Sequence, residues 1–270
     1  MRWFTCIFCI AILVFSGCDS DSNLDSSPSS ITTVSPTKTL EVPAMYMTIQ
    51  QAIKAAGSGD FVRVAAGVYV ENLQIKGKDI SLRGAGIGQT ILIGTLNISE
   101  TSETSVEGFT IKGGGIHARK SSVRISGNEI LENPGVGLWI ENCPNVVISG
   151  NTVKNNATEG IVFDDSSGVI GSSVVTQNLA DGIVLNNSSP TLLDNEVTLN
   201  GRDGISIRGF TAYAAPFLLE NLARDNGGAS NYDIICFGGN TNPTGLGNRF
   251  DRCINCAECQ AFAAPVTYRD

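Results

Sequence analysis

Gly115-Ile-His-Ala118, Gly137-Leu-Trp-Ile140, Gly160-Ile-Val-Phe163, Gly182-Ile-Val-Leu185 and Gly204-Ile-Ser-Ile207 line up at spacings of 22, 23, 22 and 22 residues. A fixed period in the twenties is the signature of a solenoid, in which each repeat buries its apolar face only against its neighbours. Each repeat holds three short apolar runs. In residues 137–156 these are Leu138-Trp139-Ile140, Val146-Val147-Ile148 and Thr152-Val153-Lys154. Side chains alternate across a strand, so Leu138 and Ile140 share one face and Trp139 takes the other. The same rule points Ile116/Ala118, Ile161/Phe163, Ile183/Leu185 and Ile205/Ile207 inward, with a further inward column of Ile130, Val153, Val175 and Val197.

The turns repeat too. Asn128, Asn151, Ser173 and Asn195 mark one corner, and Asn133, Asn156, Asn178 and Asn200 another. Asn tolerates the left-handed backbone of tight turns, and its amide can bond the equivalent residue one coil away. Three runs per coil with Asn corners predict an all-β chain, a right-handed parallel β-helix. A short capping helix is expected over residues 46–57, with Thr48 as N-cap, Ile49 and Ile53 on one face and Gly57 as the stop. The first coil is expected to begin at Asp60–Val64, and the period fails after Leu222.

Outside the repeats, Phe4–Phe15 is apolar but too short to span a bilayer, as in a signal peptide. Ser16-Gly17-Cys18 resembles a bacterial lipobox, although Phe15 stands where Leu is usual; an ordinary secretory peptide or an uncleaved anchor are the alternatives. The expected organisation is a lipoprotein signal peptide (1–17), a Ser/Thr/Pro-rich disordered tether (18–40), the β-helix (41–235) and a Cys-rich cap (236–270). Lipid on Cys18 would hold the protein to a membrane of the bacterial cell envelope.

The formal charge of −8 argues against nucleic acid as partner, because a basic footprint is missing. Of eight cysteines, Cys236, Cys253, Cys256 and Cys259 cluster near the C-terminus. An oxidising compartment favours disulfides, which these four can form in three ways, Cys236 with Cys253 stapling the last coil; zinc or a cluster is the competing reading. Cys143 is left over as a thiol near a turn. The sequons at Asn97, Asn156 and Asn187 read as corner and turn residues.

Thr48-Ile-Gln-Gln-Ala-Ile53, Gly67-Val-Tyr-Val-Glu-Asn72, Ile80-Ser-Leu-Arg-Gly84 and Thr90-Ile-Leu-Ile-Gly94 resemble the N-terminal coils of pectin-lyase-like β-helix proteins, and residues 115–208 resemble their generic repeats. The resemblance implies the fold. It spans polysaccharide lyases, hydrolases, epimerases and non-catalytic surface proteins, and so leaves the activity open. In enzymes of that superfamily the groove follows the first strand of each coil. Here its outward columns would be His117, Trp139, Val162, Val184, Ser206 and then Arg119, Glu141, Asp164, Asn186, Arg208, with coils about 4.8 Å apart.

Trp139, His117, Glu141 and Arg119 are therefore the candidate binding residues, Trp139 as a platform for a sugar ring. Arg208, Asp164 and His117 are the catalytic candidates. Glu159, Asp181 and Asp203 precede three of the strands as an acidic stack. A local turn role explains them; the sharper reading makes Asp164, Asp181 and Asp203 oxygen ligands of calcium, the one cofactor the chain invites. Calcium with Arg208 as base would resemble the lyase mechanism. Against catalysis, the Gly-His-Gly of polygalacturonases and the Gln-Asp-Thr of pectin methylesterases are missing from the sequence. The expectation is an envelope-anchored, non-catalytic β-helix lipoprotein whose face meets a polysaccharide or an envelope protein. The rival is a lyase, hydrolase or epimerase of a uronate polymer.

Overall fold

The computed structural model describes residues 37–256 and residue 259. The expected signal segment, Cys18 and the tether up to residue 36 lie outside the described residues. The described chain winds into a parallel β-helix, three strands to the coil. Its second runs form a ten-stranded parallel stack from Thr39–Val42 to Thr244–Leu246. The first and third runs form two further stacks, joined into one sheet where the long strands Thr90–Ser99 and Thr110–Arg119 turn a corner without a break.

Register follows the repeat. Ile116, Leu138, Ile161, Ile183 and Ile205 stand in one buried column, and Ala118, Ile140, Phe163, Leu185 and Ile207 in the next. Ile130, Val153, Val175 and Val197 form a third. Each large aliphatic side chain so buried contributes roughly 1.5–3 kcal/mol of hydrophobic stabilisation.

The corners work differently from the sequence expectation. The ladder residues do not take the left-handed backbone; the residue before each one does. Positive φ falls on Gly127, Gly150, Ser172, Asp194 and Glu220 at one corner, and on Glu132, Asn155, Gln177, Leu199 and Asp225 at another. That turn aims the next side chain inward, where it accepts a backbone N–H of the preceding coil. Asn128 Oδ1 accepts from Phe109 N, Asn151 Oδ1 from Asn128 N, and Asn195 Oδ1 from Ser173 N. At the second corner Asn133, Asn156, Asn178 and Asn200 repeat the pattern.

Both ladders run on beyond the last regular repeat, through Asn221 and Asn248 and through Asn226 and Asp233. A third ladder, of Ser121, Cys143, Ser166 and Ser188, lines the corner between first and second runs. Cys143 is thus a rung of a hydroxyl ladder, fully buried, and burial pushes its thiol pKa up. Buried backbone groups need partners, and at corners outside the strand pairing these side chains supply them. Of the sequon residues, Asn156 is in a ladder and Asn187 is a left-handed turn residue, but Asn97 lies within a strand.

The capping helix α1 is Ile49–Ala55, shorter than the expected 46–57. Thr48 is its N-cap, its Oγ1 accepting from Gln51 N at 3.2 Å, and Ile49 and Ile53 are buried. Helix termini carry unpaired backbone groups, and the next coil satisfies them here. The Glu71 carboxylate takes the N–H groups of Ile49 and Gln50 at 2.9 and 3.0 Å. Lys78 donates to the carbonyls of Ile53, Lys54 and Ala56. The helix stops at Ala56, which is extended, rather than at Gly57.

Strand pairing starts earlier and ends later than the expected boundaries. Thr39–Val42, at the end of the expected tether, pairs with Phe61–Val64 and so precedes the expected first coil. At the far end Ile234–Phe237 pairs with Ile205–Arg208 and Cys253–Ile254 with Ile234–Ile235, so residue 236 falls inside a strand. The repeat length changes there because the connections 209–216, 225–233 and 238–243 are longer than their counterparts in the regular repeats. The disulfides are Cys236–Cys256 and Cys253–Cys259, not Cys236–Cys253.

Candidate functional site

The outer face of the first-run stack carries the two columns in the expected register, Trp139 beside His117 and Val162, and Glu141 beside Arg119 and Asp164. The His117 and Trp139 rings are stacked, with centroids 4.4 Å apart and planes 11° from parallel. Strands about 4.8 Å apart dictate this, because in-register flat side chains on neighbouring coils lie one over the other. The pair is fixed from both sides. His117 Nε2 meets Glu141 Oε2 at 3.1 Å, and Trp139 Nε1 donates to Asp164 Oδ2 at 2.6 Å. Asn186 Nδ2 donates to the other oxygen, Asp164 Oδ1, at 2.5 Å. Trp139 remains 38% exposed, which leaves ring surface for a ligand. Arg119, between Glu141 and Ser99 in the second column, is exposed.

Val162, Val184 and Ser206 point outward but are buried. Arg208 accounts for the last two. Its guanidinium reaches back from the second column to the turn before an earlier strand, where Nη2 donates to Asp181 Oδ2 at 2.5 Å. The arm therefore lies over the first-column positions of its own coil and the one before, Ser206 and Val184. Its Cζ also sits 5.7 Å from the Phe237 ring centroid, a cation–π arrangement with the residue opposite it in the next coil.

The acidic stack resolves into backbone and ion-pair roles. Asp181 Oδ1 accepts from Asp203 N at 3.1 Å, and Asp203 Oδ1 from Tyr232 N at 2.7 Å, so each acid caps the coil that follows. Arg202 approaches Asp181 at 3.7 Å from the exposed side. Burial pushes the Asp181 carboxyl above its ordinary pKa, against the opposing pull of the Asp203 N–H and of Arg208 and Arg202. An acid raised in the fold adds to stability below its unfolded pKa, and that contribution is lost as pH rises through the folded value. Asp181→Asn, which cannot ionise, should therefore gain stability relative to the parent as pH climbs from the ordinary carboxylate range to neutral. Urea midpoints across that range check this; a difference that does not change with pH would refute it.

The calcium reading is not assembled by these residues. Asp164, Asp181 and Asp203 are not brought together: among the described residues, three cysteines form the single group of His, Cys, Asp or Glu ligand atoms that all lie within 4.8 Å of one another. Asp164 and Asp181 each have both oxygens engaged by N–H donors. Arg208 is held by the buried Asp181 carboxylate.

Two depressions flank the Arg208 arm. One, of about 180 Å³, is walled by Trp139, Asp164, Asn186 and Arg208 with Val162 and Val184 as its floor. The other, of about 300 Å³, is lined by Arg202, Arg208, Phe210 and Phe237. Sequence reasoning missed Phe210 and Phe237, because they stand in and beside the inserted loops where the period no longer points to them. A larger concavity, about 780 Å³, lies on the outer face of the second-run stack and is lined by hydroxyls and charges without an aromatic ring.

With this geometry the chain resembles several known proteins. The alginate lyase from Paenibacillus sp. str. FPU-7 superposes with a TM-score of 0.55 at 15% identity, over 81% of this chain and 96% of that one. A mutant of the periplasmic alginate epimerase AlgG superposes with a TM-score of 0.54 at 14% identity, over 69% of this chain and 51% of that one. At such identities the likeness is one of fold. A probable pectinesterase/pectinesterase inhibitor of Arabidopsis thaliana is 49% identical over 61 residues, 22% of this chain, and the match spans only 12% of that protein's length. The family model described as the right handed beta helix region matches residues 47–183, just over half of the chain. With its parallel coils and buried ladders, the chain belongs to that right-handed β-helix family.

Proposed function

We propose that this protein binds a polysaccharide along the outer face of the first-run stack and holds it without chemical turnover, tethered to a bacterial cell envelope through Cys18. The observation that carries the reading is the stacked His117–Trp139 pair beside a groove walled by Asp164, Asn186 and Arg208. An exposed indole over a shallow groove with a few fixed polar groups is what a sugar ring needs: an apolar face to lie on and hydrogen bonds to orient it. The similar proteins, a lyase and an epimerase of alginate and a probable pectinesterase, favour a polysaccharide over a protein partner. The catalytic candidates Arg208, His117 and Asp164 each have their polar groups engaged by neighbouring side chains. Arg208 is paired to Asp181, Glu141 to His117, and Asp164 to Trp139 and Asn186.

The test incubates purified protein with acidic and neutral polysaccharides, with and without calcium, reading binding and the ultraviolet absorbance of unsaturated sugars together. Binding without product is expected. Trp139→Ala should weaken it about tenfold or more, the loss of roughly 1.4 kcal/mol of stacking and apolar contact. Product formation that depends on calcium and disappears in Arg208→Ala would replace this reading with a lyase. Retained binding in Trp139→Ala would move the site elsewhere. Metabolic labelling with a clickable fatty acid, lost in Cys18→Ser, tests the anchor.

A further inference from the structure

We propose that the four C-terminal cysteines form a redox-dependent clasp, which closes the last coil with two disulfides when oxidised and with one zinc ion when reduced. The chain spacing places Cys253, Cys256 and Cys259 three residues apart, and Cys236 on the strand that pairs with Cys253–Ile254. The two disulfides cross this group: Cys236 joins Cys256, and Cys253 joins Cys259. They are not separate staples. The sulfurs of Cys253, Cys256 and Cys259 all lie within 4.8 Å of one another, and that of Cys236 is bonded to one of the three. Cys236 is thus joined directly to a cluster of three sulfurs.

Zinc bound by four thiolates at about 2.3 Å requires sulfur–sulfur edges of about 3.8 Å. Three of the sulfurs already lie within 4.8 Å of one another, two of them as a bonded pair. Bonded sulfurs move apart once reduced, towards the same edge length. The cluster also has the setting of a structural site. Cys236 and Cys256 are buried under the last coils, and Cys253 and Cys259 are half-buried at the rim of the coil stack, where an ion can enter. A Cys-x-x-Cys segment completed by a thiolate from an adjacent strand is a spacing suited to tetrahedral zinc. Cys143 takes no part, because it lies in the Ser121–Ser188 corner ladder.

The chemistry balances with a dithiol as reductant. Each disulfide takes two electrons and two protons from one dithiol, giving two cysteine thiols and one cyclic disulfide. Four thiols then release four protons as Zn²⁺ binds four thiolates, so the reduced clasp tightens as pH rises. Closure matters at this position because an open solenoid end exposes core and strand edge. A clasp with two closed forms keeps that end sealed whichever way the thiols are poised. The proposal does not depend on what the first-run face binds.

The test uses the full chain, reduced with excess dithiol and desalted without oxygen. Cobalt(II) is the probe, followed by zinc. One cobalt per chain is expected, with the intense visible bands of a tetrahedral tetrathiolate site, and zinc should bleach them stoichiometrically. Alkylation and peptide mapping of the zinc-loaded protein should find Cys236, Cys253, Cys256 and Cys259 protected. The oxidised protein should bind neither metal there. Cys236→Ser should weaken cobalt binding at least about a hundredfold. If that variant does not fold, the alkylation map of the parent decides alone. A reduced protein that takes up no stoichiometric cobalt would overturn the proposal, as would zinc that leaves these four thiols open to alkylation.

Discussion

Asn178→Ala is expected to lower the unfolding free energy by about 4 kcal/mol, although no charge is changed and no hydrophobic core residue is touched. Asn178 Oδ1 accepts from both Asn156 N and Asn156 Nδ2, at 3.1 and 2.8 Å. Its Nδ2 donates to Asn200 Oδ1 at 2.9 Å and to Val153 O at 3.2 Å. Alanine removes all four bonds and strands two buried donors of Asn156, each worth roughly 1–3 kcal/mol when left without a partner, with a cavity besides. Water cannot repair the loss cheaply, because the side chains on either side, Asn156 and Asn200, are as buried as Asn178. Urea denaturation at fixed pH measures the effect. A loss below about 1 kcal/mol would mean that the amide ladder is decoration and that strand pairing alone holds the corner. Coils of a solenoid interact chiefly with their neighbours, so the damage should be greatest at the coils on either side, as hydrogen exchange at Val153 and Val197 would show.

Gly182→Ala should cost about 3 kcal/mol or more, from a single methyl group. Nothing about the backbone of Gly182 demands glycine, since its φ is not in the left-handed region. Space demands it. A Cβ there would lie 2.6 Å from Asn200 Nδ2, 2.6 Å from Val197 Cγ1 and 2.8 Å from Gly204 O. Asn200 cannot give way without breaking its own bonds to Val175 O and Asn226. Gly137, Gly160 and Gly204 meet the same kind of crowding against Asn156, Asn178 and Asn226. Gly135 is the control: a Cβ there meets nothing within 4 Å, so Gly135→Ala should be neutral or slightly stabilising. Equal losses in the two variants, read from thermal and urea midpoints, would sink the argument.

These two predictions join the first strands to the corners. The glycine that sets the period is there so that the Asn of the adjacent corner can come close, and the ladder that results holds the strand carrying Trp139, Asp164 and Arg208 in register. Precision at the groove is thus inherited from a repeated turn rather than built by the groove residues themselves.

The sequence by itself determined the parts governed by alternation and by the repeat. The inward columns, the outward order His117–Trp139 and Glu141–Asp164–Asn186–Arg208, the Thr48 cap and most ladder positions follow from side chains pointing alternately in and out, repeated every coil. Tertiary structure alone decided what happens where a side chain is long or the repeat length changes. The Arg208 arm reaches across a coil to Asp181, burying Val184 and Ser206 on the outer face, because a long flexible side chain takes its direction from a charge and not from its position in the strand. Asn221, Asn226 and Asn248 continue the ladders at altered spacing because inserted loops lengthen the coil without shifting the strands. The cysteine pairing went to Cys236–Cys256, because which sulfurs meet is a matter of how the last coil closes, a distance in space that the order of residues along the chain does not contain.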